Sequence, residues 1–245
     1  MGACGKMGQN IAECALDNKD IKIVAGVDKF NNGANFPVFS TFSEINVEAD
    51  VIIDFSNPAL LDDMLEFATA KKIPVVIATT GFSNAQIEKI KNISNKIPVF
   101  FTFNMSLGVN LLCSLAKKAA NILGEGFDIE IIEKHHNQKI DAPSGTAIML
   151  ANAVNGVFDD KLTYEYDRHS KRAKRPKNEI GIHSVRGGTI VGEHDVIFAG
   201  RDEVITLSHA AHSKQVFAVG ALRAAKFIAD KPQGLYDMND ILNIE

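Results

Sequence analysis

The sequence predicts two domains of different class: an α/β domain on a parallel sheet, formed by residues 1–106 and 214–245, and an α+β domain with a mixed, largely open sheet at residues 107–213. Three observations lead there. Between residues 21 and 104, short runs rich in Ile and Val, apolar on both faces, alternate with segments whose apolar residues recur every three to four positions. That is the pattern of strand, crossover helix, strand. From Glu179 to Ala210 three strand-like runs follow one another with no helix between them, which parallel pairing does not permit. The last periodic segment, KQVFAVGALRAAKFIAD, is an amphipathic helix whose apolar face needs a partner, most simply the first sheet.

Taken in order, IKIVAGVD, DVIIDFS, IPVVIATTGF and KIPVFFTFN read as strands bounded by turn residues. PALLDDMLEFATAKK opens with Pro58 at a first helical position, and NAQIEKIKNI is a second crossover helix. Past residue 106 come a long helix LGVNLLCSLAKKAANIL, a strand FDIEIIEKHH and a helix after Pro143. The basic segment DRHSKRAKRPKN lacks periodicity. It reads as a solvated, mobile loop, with a place at the mouth of an anion-binding cleft as the alternative.

Composition excludes several classes of function. A chain of 245 residues with 46% hydrophobic content supports a real core, and a net charge of -4 lacks the footprint of a nucleic-acid binder. The three cysteines are widely spaced with no C-x-x-C pair, so neither a disulfide framework nor a cysteine metal site is expected. No apolar run is long enough to span a bilayer and no signal pattern opens the chain, so no membrane role and a cytoplasmic location are expected.

The chain opens MGACGKMGQN, with Gly2, Gly5 and Gly8 three apart before a helical pattern. Such a turn lets backbone N–H groups and a helix N-terminus approach a pyrophosphate. Asp28, about 20 residues on at the end of the next strand, is placed to accept ribose hydroxyls. The pair marks a Rossmann-type dinucleotide-binding domain. An acid at this position favours NAD, whereas Lys29 and Lys6 could pair with a 2′-phosphate, so NADH and NADPH both stay open. A glycine turn of this kind follows the central strand of the sheet, yet only Met1 precedes it. Unpaired backbone groups cost about 1–3 kcal/mol each, so an incomplete sequence is expected rather than a fold without that strand. ATTGF and FTFNMSLGVN end strands on the carboxyl edge, where open α/β sheets bind ligands, and Thr79, Thr80 and Gly81 could line a nicotinamide pocket.

The densest chemistry lies in EKHHNQKIDAPSGTA, residues 133–147. His135, His136 and Lys139 fall just past a strand end, and Pro143, Ser144, Gly145 and Thr146 start a helix whose N–H groups favour an anion. These are the parts of a carboxylate site with a proton donor at hand. Adjacent histidines on a strand point apart, so no metal site is read here.

This block resembles the signature of the dihydrodipicolinate reductase (4-hydroxy-tetrahydrodipicolinate reductase) family of bacterial lysine and diaminopimelate biosynthesis. GACGKMG, DFSNP, ATTGF, NMSLGVN, SVRGGTIVGEHDVIF and FAVGALRAAKFI resemble its other blocks in order, over essentially the whole chain. The resemblance implies an NAD(P)H oxidoreductase. It reduces a small dicarboxylate substrate with loss of water, and it is a homotetramer with a Rossmann domain joined to a substrate and tetramerisation domain. By position it makes His135 the proton donor and Lys139 a second catalytic or carboxylate-binding group. It makes His136, Ser144, Gly145 and Thr146 the substrate carboxylate site. It assigns the cofactor to Gly2, Gly5, Lys6, Met7, Gly8, Asp28, Lys29, Phe55, Ala78, Thr79, Thr80, Gly81, Phe103, Asn104, Met105, Lys214 and Phe217.

The chain departs from the family pattern at Ala78, where glycine is usual, at Met105, where an aromatic or similar residue is usual, and in its first strand. Two other classes compete. Another two-domain NAD(P)-dependent dehydrogenase, such as an aspartate dehydrogenase, would share the glycine turn but not need the 135–146 block. A non-catalytic dinucleotide sensor would tolerate loss of His135 or Lys139.

Overall fold

A computed structural model describes residues 1–31 and 33–242; the last three residues expected in the first domain lie outside them. In chain order the elements are α1 (Lys6–Leu16), β1 (Gly26–Val27), β2 (Val38–Phe39), β3 (Ile52–Asp54), α2 (Leu61–Lys71), β4 (Val75–Ile77), α3 (Asn84–Ile93) and β5 (Pro98–Phe101). Then follow α4 (Leu107–Leu123), β6 (Asp128–His135), α5 (Gly145–Asn155), β7 (Thr163–Glu165), β8 (Glu179–Arg186), β9 (Gly192–Ala199) and β10 (Val204–Ala211). The chain closes with α6 (Gln215–Ile228), β11 (Gly234–Tyr236) and α7 (Met238–Leu242). These form two units, Met1–Leu107 with the chain from Lys214 on, and Gly108–Ser213.

The first unit is a Rossmann-type α/β arrangement. Its four-stranded sheet runs β11-β5-β4-β3, parallel throughout, and β1 pairs with β2 in parallel beside it. Alternation along β4 explains why the strands are apolar on both faces. Val75 and Ile77 pack with Leu61, Met64, Leu65 and Ile90 of α2 and α3, while Val76 packs with Ala221, Ala224 and Ile228 of α6. The expected partner of the last long helix is therefore this sheet. Small residues let α6 come close: a Cβ at Gly220 would collide with the Met105 carbonyl oxygen.

The strand expected over Ile21 to Asp28 is reduced to Gly26 and Val27. A ladder needs a neighbour, and Ile21 to Ala25 have a cavity of about 290 Å³ beside them, lined also by Val51, Ile52 and Ile53. At the end of that slot the Met1 ammonium donates to the Ile53 carbonyl at 2.6 Å, and its own carbonyl accepts from Phe55 N at 3.2 Å. Gly2 N donates to the Val27 carbonyl at 3.0 Å. Met1 and Gly2 thus bridge β3 and β1, and among the described residues no longer strand lies between them. Burial lowers the pKa of the Met1 ammonium despite the nearby Asp54 and Asp28 carboxylates.

Pro58 starts a short 3₁₀ turn to Leu60, capped by the Asn57 side chain, before α2 proper, and α3 opens with a capping box between Ser83 and Gln86.

The second unit holds a mixed sheet, β10-β9-β6-β8-β7. In it β6 is antiparallel to β9 and parallel to β8. One face packs Ile129, Ile131, Ile180, Ile182, Val196 and Phe198 against Leu112, Ala116, Leu150 and Val154 of α4 and α5. The opposite face carries Glu130, Ile132, Lys134, Glu193 and Asp195, none of them fully buried. Most of the basic segment is exposed, as expected, but Arg168 and Arg175 tie it to this sheet. Arg175 donates to Glu130, Asp128 and the carbonyls of Ile129, Pro176 and Glu179, and Arg168 pairs with Glu130 and Glu179. These two arginines pair with acids of the same unit. Burial opposes the charge on Glu130, but the bonds from Arg175 and His183 and the Arg168 charge hold its pKa below the usual value.

Candidate active site

Period-two alternation puts Glu133 and His135 on one face of β6. His135 Nδ1 lies 2.6 Å from Glu133 Oε2. Glu133 is wholly buried and also accepts bonds from Arg186 Nη1 to Oε2 at 2.8 Å, from Arg186 Nη2 to Oε1 at 2.7 Å, and from Ser144 N to Oε1 at 3.1 Å. Burial works against its charge, yet the hydrogen bonds from Arg186, Ser184 and His135 outweigh it and hold the carboxyl at about 2. Arg186 also donates to the Asp141 carbonyl at 2.6 Å, which anchors the turn joining β6 to α5.

Ser144 is the N-cap of α5: its Oγ accepts from Ala147 N at 3.1 Å. The same Oγ lies 2.9 Å from Nε2 of His194 on β9. The His194 ring is edge-on to His135 at 5.2 Å between centroids, and its Nδ1 is buried without a partner. Burial first, and the nearby His135 second, push His194 down to about 4, so it is neutral at pH 7. In the ladder His194 stands opposite Glu133 on one side and His209 on the other. Lys139 Nζ is 2.8 Å from Asp141 Oδ1, and its N–H closes a turn onto the His136 carbonyl.

The structure thus joins His135, Ser144 and the start of α5 through Glu133, with Lys139 on the same turn. His136, one residue past the strand end, takes no part in that network. Glu133, Arg186, Gly192 and His194 carry the geometry and had no role in the sequence reading. Glu133 was legible, since a residue two before a strand histidine shares its face. Arg186, Gly192 and His194 come from strands that only the register brings alongside.

In the first unit the glycine turn is a tight backbone cradle. Gly2 has φ +72°, and a Cβ there would collide with the Phe55 carbonyl oxygen; a Cβ on Gly8 would collide with the carbonyl oxygens of Gly2 and Ala3. α1 starts after Gly5 with no side-chain cap, so its first-turn N–H groups, at Lys6 and Met7, suit a phosphate. Asp28 stands at the rim: its Oδ2 accepts from Cys4 N at 2.9 Å and its Oδ1 from Phe30 N at 3.2 Å. The residues present fit a dinucleotide.

Phe55, Ala78, Met105 and Phe217 gather in one cluster under this edge of the sheet. Thr79 is buried, and its Oγ1 accepts from Ser56 N at 2.7 Å, so its side chain joins β4 to β3. Thr80 and Gly81 are exposed, and Gly81 has φ +84° with open space at its Cβ position. Asn104 shapes its own turn, accepting from Ser106 N at 2.8 Å, and Phe103 is largely exposed. Lys29 and Lys214 are exposed.

Two family profiles cover almost the whole chain: the N-terminus of dihydrodipicolinate reductase over residues 1–105, and its C-terminus over residues 108–242. The chain belongs to the dihydrodipicolinate reductase family. The 4-hydroxy-tetrahydrodipicolinate reductase of Caldanaerobacter subterraneus subsp. tengcongensis is 54% identical over 98% of this chain and 96% of that protein. The enzyme of the same name from Clostridium tetani is 50% identical over 99% of this chain and 95% of that protein. Among solved structures, a dipicolinate-bound dihydrodipicolinate reductase from Paenisporosarcina sp. TG-14 superposes with a TM-score of 0.81 at 26% identity, covering 98% of this chain and 97% of the other. An aspartate dehydrogenase from Thermotoga maritima reaches a TM-score of 0.51 at 11% identity over 93% of this chain and 94% of the other, a likeness of fold alone. The family assignment favours the reductase over the competing dehydrogenase and sensor readings.

Proposed function

We propose that this chain reduces 4-hydroxy-tetrahydrodipicolinate to tetrahydrodipicolinate with NAD(P)H, releasing water, in the diaminopimelate route to lysine. The single observation that carries this is His135 and Ser144 held on one buried carboxylate, Glu133, in a chain whose relatives bear this enzyme's name. The balance is one substrate, one NAD(P)H and one proton giving one product, one NAD(P)⁺ and one water. NADH or NADPH supplies the hydride when bound. Gly2, Gly5 and Gly8 give its pyrophosphate a close backbone approach, the first turn of α1 offers N–H donors, and Asp28 accepts from the ribose.

The substrate's two carboxylates explain why a lysine and a helix N-terminus share one turn. Ser144, Gly145 and Thr146 stand at the start of α5, where partial positive charge favours an anion, and Lys139 adds a full positive charge. His135 gives the proton that neutralises the electron density gathered on the ring during reduction, from its Nε2. The Paenisporosarcina relative is described as dipicolinate-bound, a planar dicarboxylate of the kind this site would hold.

The active form in this proposal is a cytoplasmic homotetramer. Support comes from the five-stranded sheet of the second unit, one face of which is covered by α4 and α5 while the other carries half-exposed Ile132 and Ile197 among its charges. Among the described residues no helix is long and apolar enough to cross a membrane.

The test is substrate-dependent oxidation of NADH and of NADPH by the purified chain and by Lys139→Ala. Turnover in the first and a loss of about 100-fold or more in the second is expected. Absence of substrate-dependent oxidation in both would refute the assignment.

A further inference from the structure

We propose that Glu133 is a positioning residue that holds His135 with its proton on Nδ1, so that Nε2 is the nitrogen that gives and takes the catalytic proton. This rests on the assignment of His135 as proton donor. Four observations carry it. The Nδ1 to Oε2 contact is 2.6 Å, and Glu133 is wholly buried, so no water competes for that bond. Arg186 clamps both carboxylate oxygens from the neighbouring strand. A carboxylate held anionic in this way has no proton to give, so the hydrogen in the short bond belongs to the ring.

The third observation lies on the other side of the imidazole. Residue 192 on β9 is glycine, and a Cβ there would sit 3.1 Å from His135 Nε2. The fold therefore occupies one ring nitrogen with a carboxylate and sets a residue without a side chain beside the other. The fourth is that Oε1 of the same carboxylate accepts from Ser144 N at 3.1 Å. One buried anion thus fixes the tautomer of the proton donor and the position of the residue that opens the substrate-binding helix. When His135 loses its Nε2 proton, the neutral ring left behind is the tautomer that Glu133 already binds, and no ring flip is needed before the next proton arrives.

A purely bracing role for the Glu133–Arg186 pair would predict lost stability with an unchanged tautomer, so the experiment reads both. Long-range proton–nitrogen spectra of histidine-labelled protein identify the protonated nitrogen of neutral His135. They are recorded on the wild type, Glu133→Gln and Arg186→Lys, beside kcat and KM. The wild type is expected to carry the proton on Nδ1. Glu133→Gln is expected to shift the ring toward the Nε2–H form and to lower kcat about 100-fold, with a much smaller change in KM. Arg186→Lys, which keeps a cation beside Glu133, is expected to retain the Nδ1–H form and a higher kcat than Glu133→Gln.

An Nε2–H tautomer in the wild type overturns the proposal even if neither variant folds. So does a folded Glu133→Gln variant with the wild-type tautomer. The spectra need no turnover, so they decide this point whether or not the assay supports the reductase activity.

Discussion

Ser144 Oγ lies 2.9 Å from His194 Nε2 and at the same time accepts the Ala147 N–H that begins α5. One hydroxyl therefore joins a buried imidazole on β9 to the helix start that faces the proposed carboxylate site. Removing it deprives the helix of its cap and leaves both nitrogens of His194 without partners. Ser144→Ala should lose about 2–3 kcal/mol of stability, the cap and the stranded imidazole together. KM should rise more than kcat falls, because the proposal gives Ser144 a binding rather than a reacting role. Denaturant unfolding and steady-state kinetics on one preparation check both.

Stability should depend on pH through His194. Its folded-state pKa is pushed to about 4 from an ordinary 6.5, so between these values the unfolded chain binds a proton that the folded chain does not. The contribution is complete above pH 6.5 and is lost as pH falls to 4, by roughly 3 kcal/mol. His209, lowered by burial, acts in the same direction. Below pH 4.5 Glu133, held at about 2, begins to lose its own contribution. Melting temperatures from pH 8 to 4 should fall in this window, and His194→Gln should flatten the fall.

Gly192 faces Nε2 of His135, the nitrogen proposed to give the proton, so Gly192→Ala should damage catalysis more than folding. The added carbon would lie 3.1 Å from Nε2, closer than ordinary contact, and the ring must tilt away from it. A drop in kcat of about tenfold, equivalent to about 1.4 kcal/mol of barrier, should accompany a small shift in melting temperature. Equal activity in the two proteins would show that Nε2 works from another direction.

Gly8→Ala should weaken cofactor binding. The new Cβ collides with the carbonyl oxygens of Gly2 and Ala3, so the turn must open and its N–H groups lose their common direction. Calorimetric titration with NADH and NADPH should show a rise in Kd of about tenfold or more. The second unit, with its own core, should keep its fold.

Arg175 should matter for folding rather than for chemistry. Its side chain is mostly buried and donates to Glu130, Asp128 and three carbonyls. Arg175→Ala strands these acceptors and should cost about 3 kcal/mol, measured by denaturant unfolding.

Period and punctuation in the chain alone were enough to reveal the two classes of domain, the crossover helices and the 107–123 helix. Each rests on local pattern: Val and Ile runs apolar on both faces, Pro58, the Ser83 cap. The same holds for the glycine turn and for the block from His135 to Thr146, where reactive residues are neighbours in sequence. Elements of two or three residues, β2, β7 and β11, fall below the length at which a period can be seen. Ile21 to Ala25 carry strand composition without a strand, because pairing depends on what lies alongside.

The basic segment from Asp167 to Asn178 is largely exposed, as its composition indicates, but composition reports charge and not the partners of Arg168 and Arg175. Folding brings Asp128, Glu130 and Glu179 under its arginines. The site divides in the same way. His135, Lys139 and Ser144 were legible as chemistry, but the partners of the His135 ring were not. Arg186, Gly192 and His194 lie about 50 to 60 residues away along the chain and reach His135, Glu133 and Ser144 only through the register of β8 and β9 with β6. A residue's type states what it is able to do. In the proposal above, which nitrogen of His135 does it follows from a buried carboxylate and a residue without a side chain, and those are properties of packing.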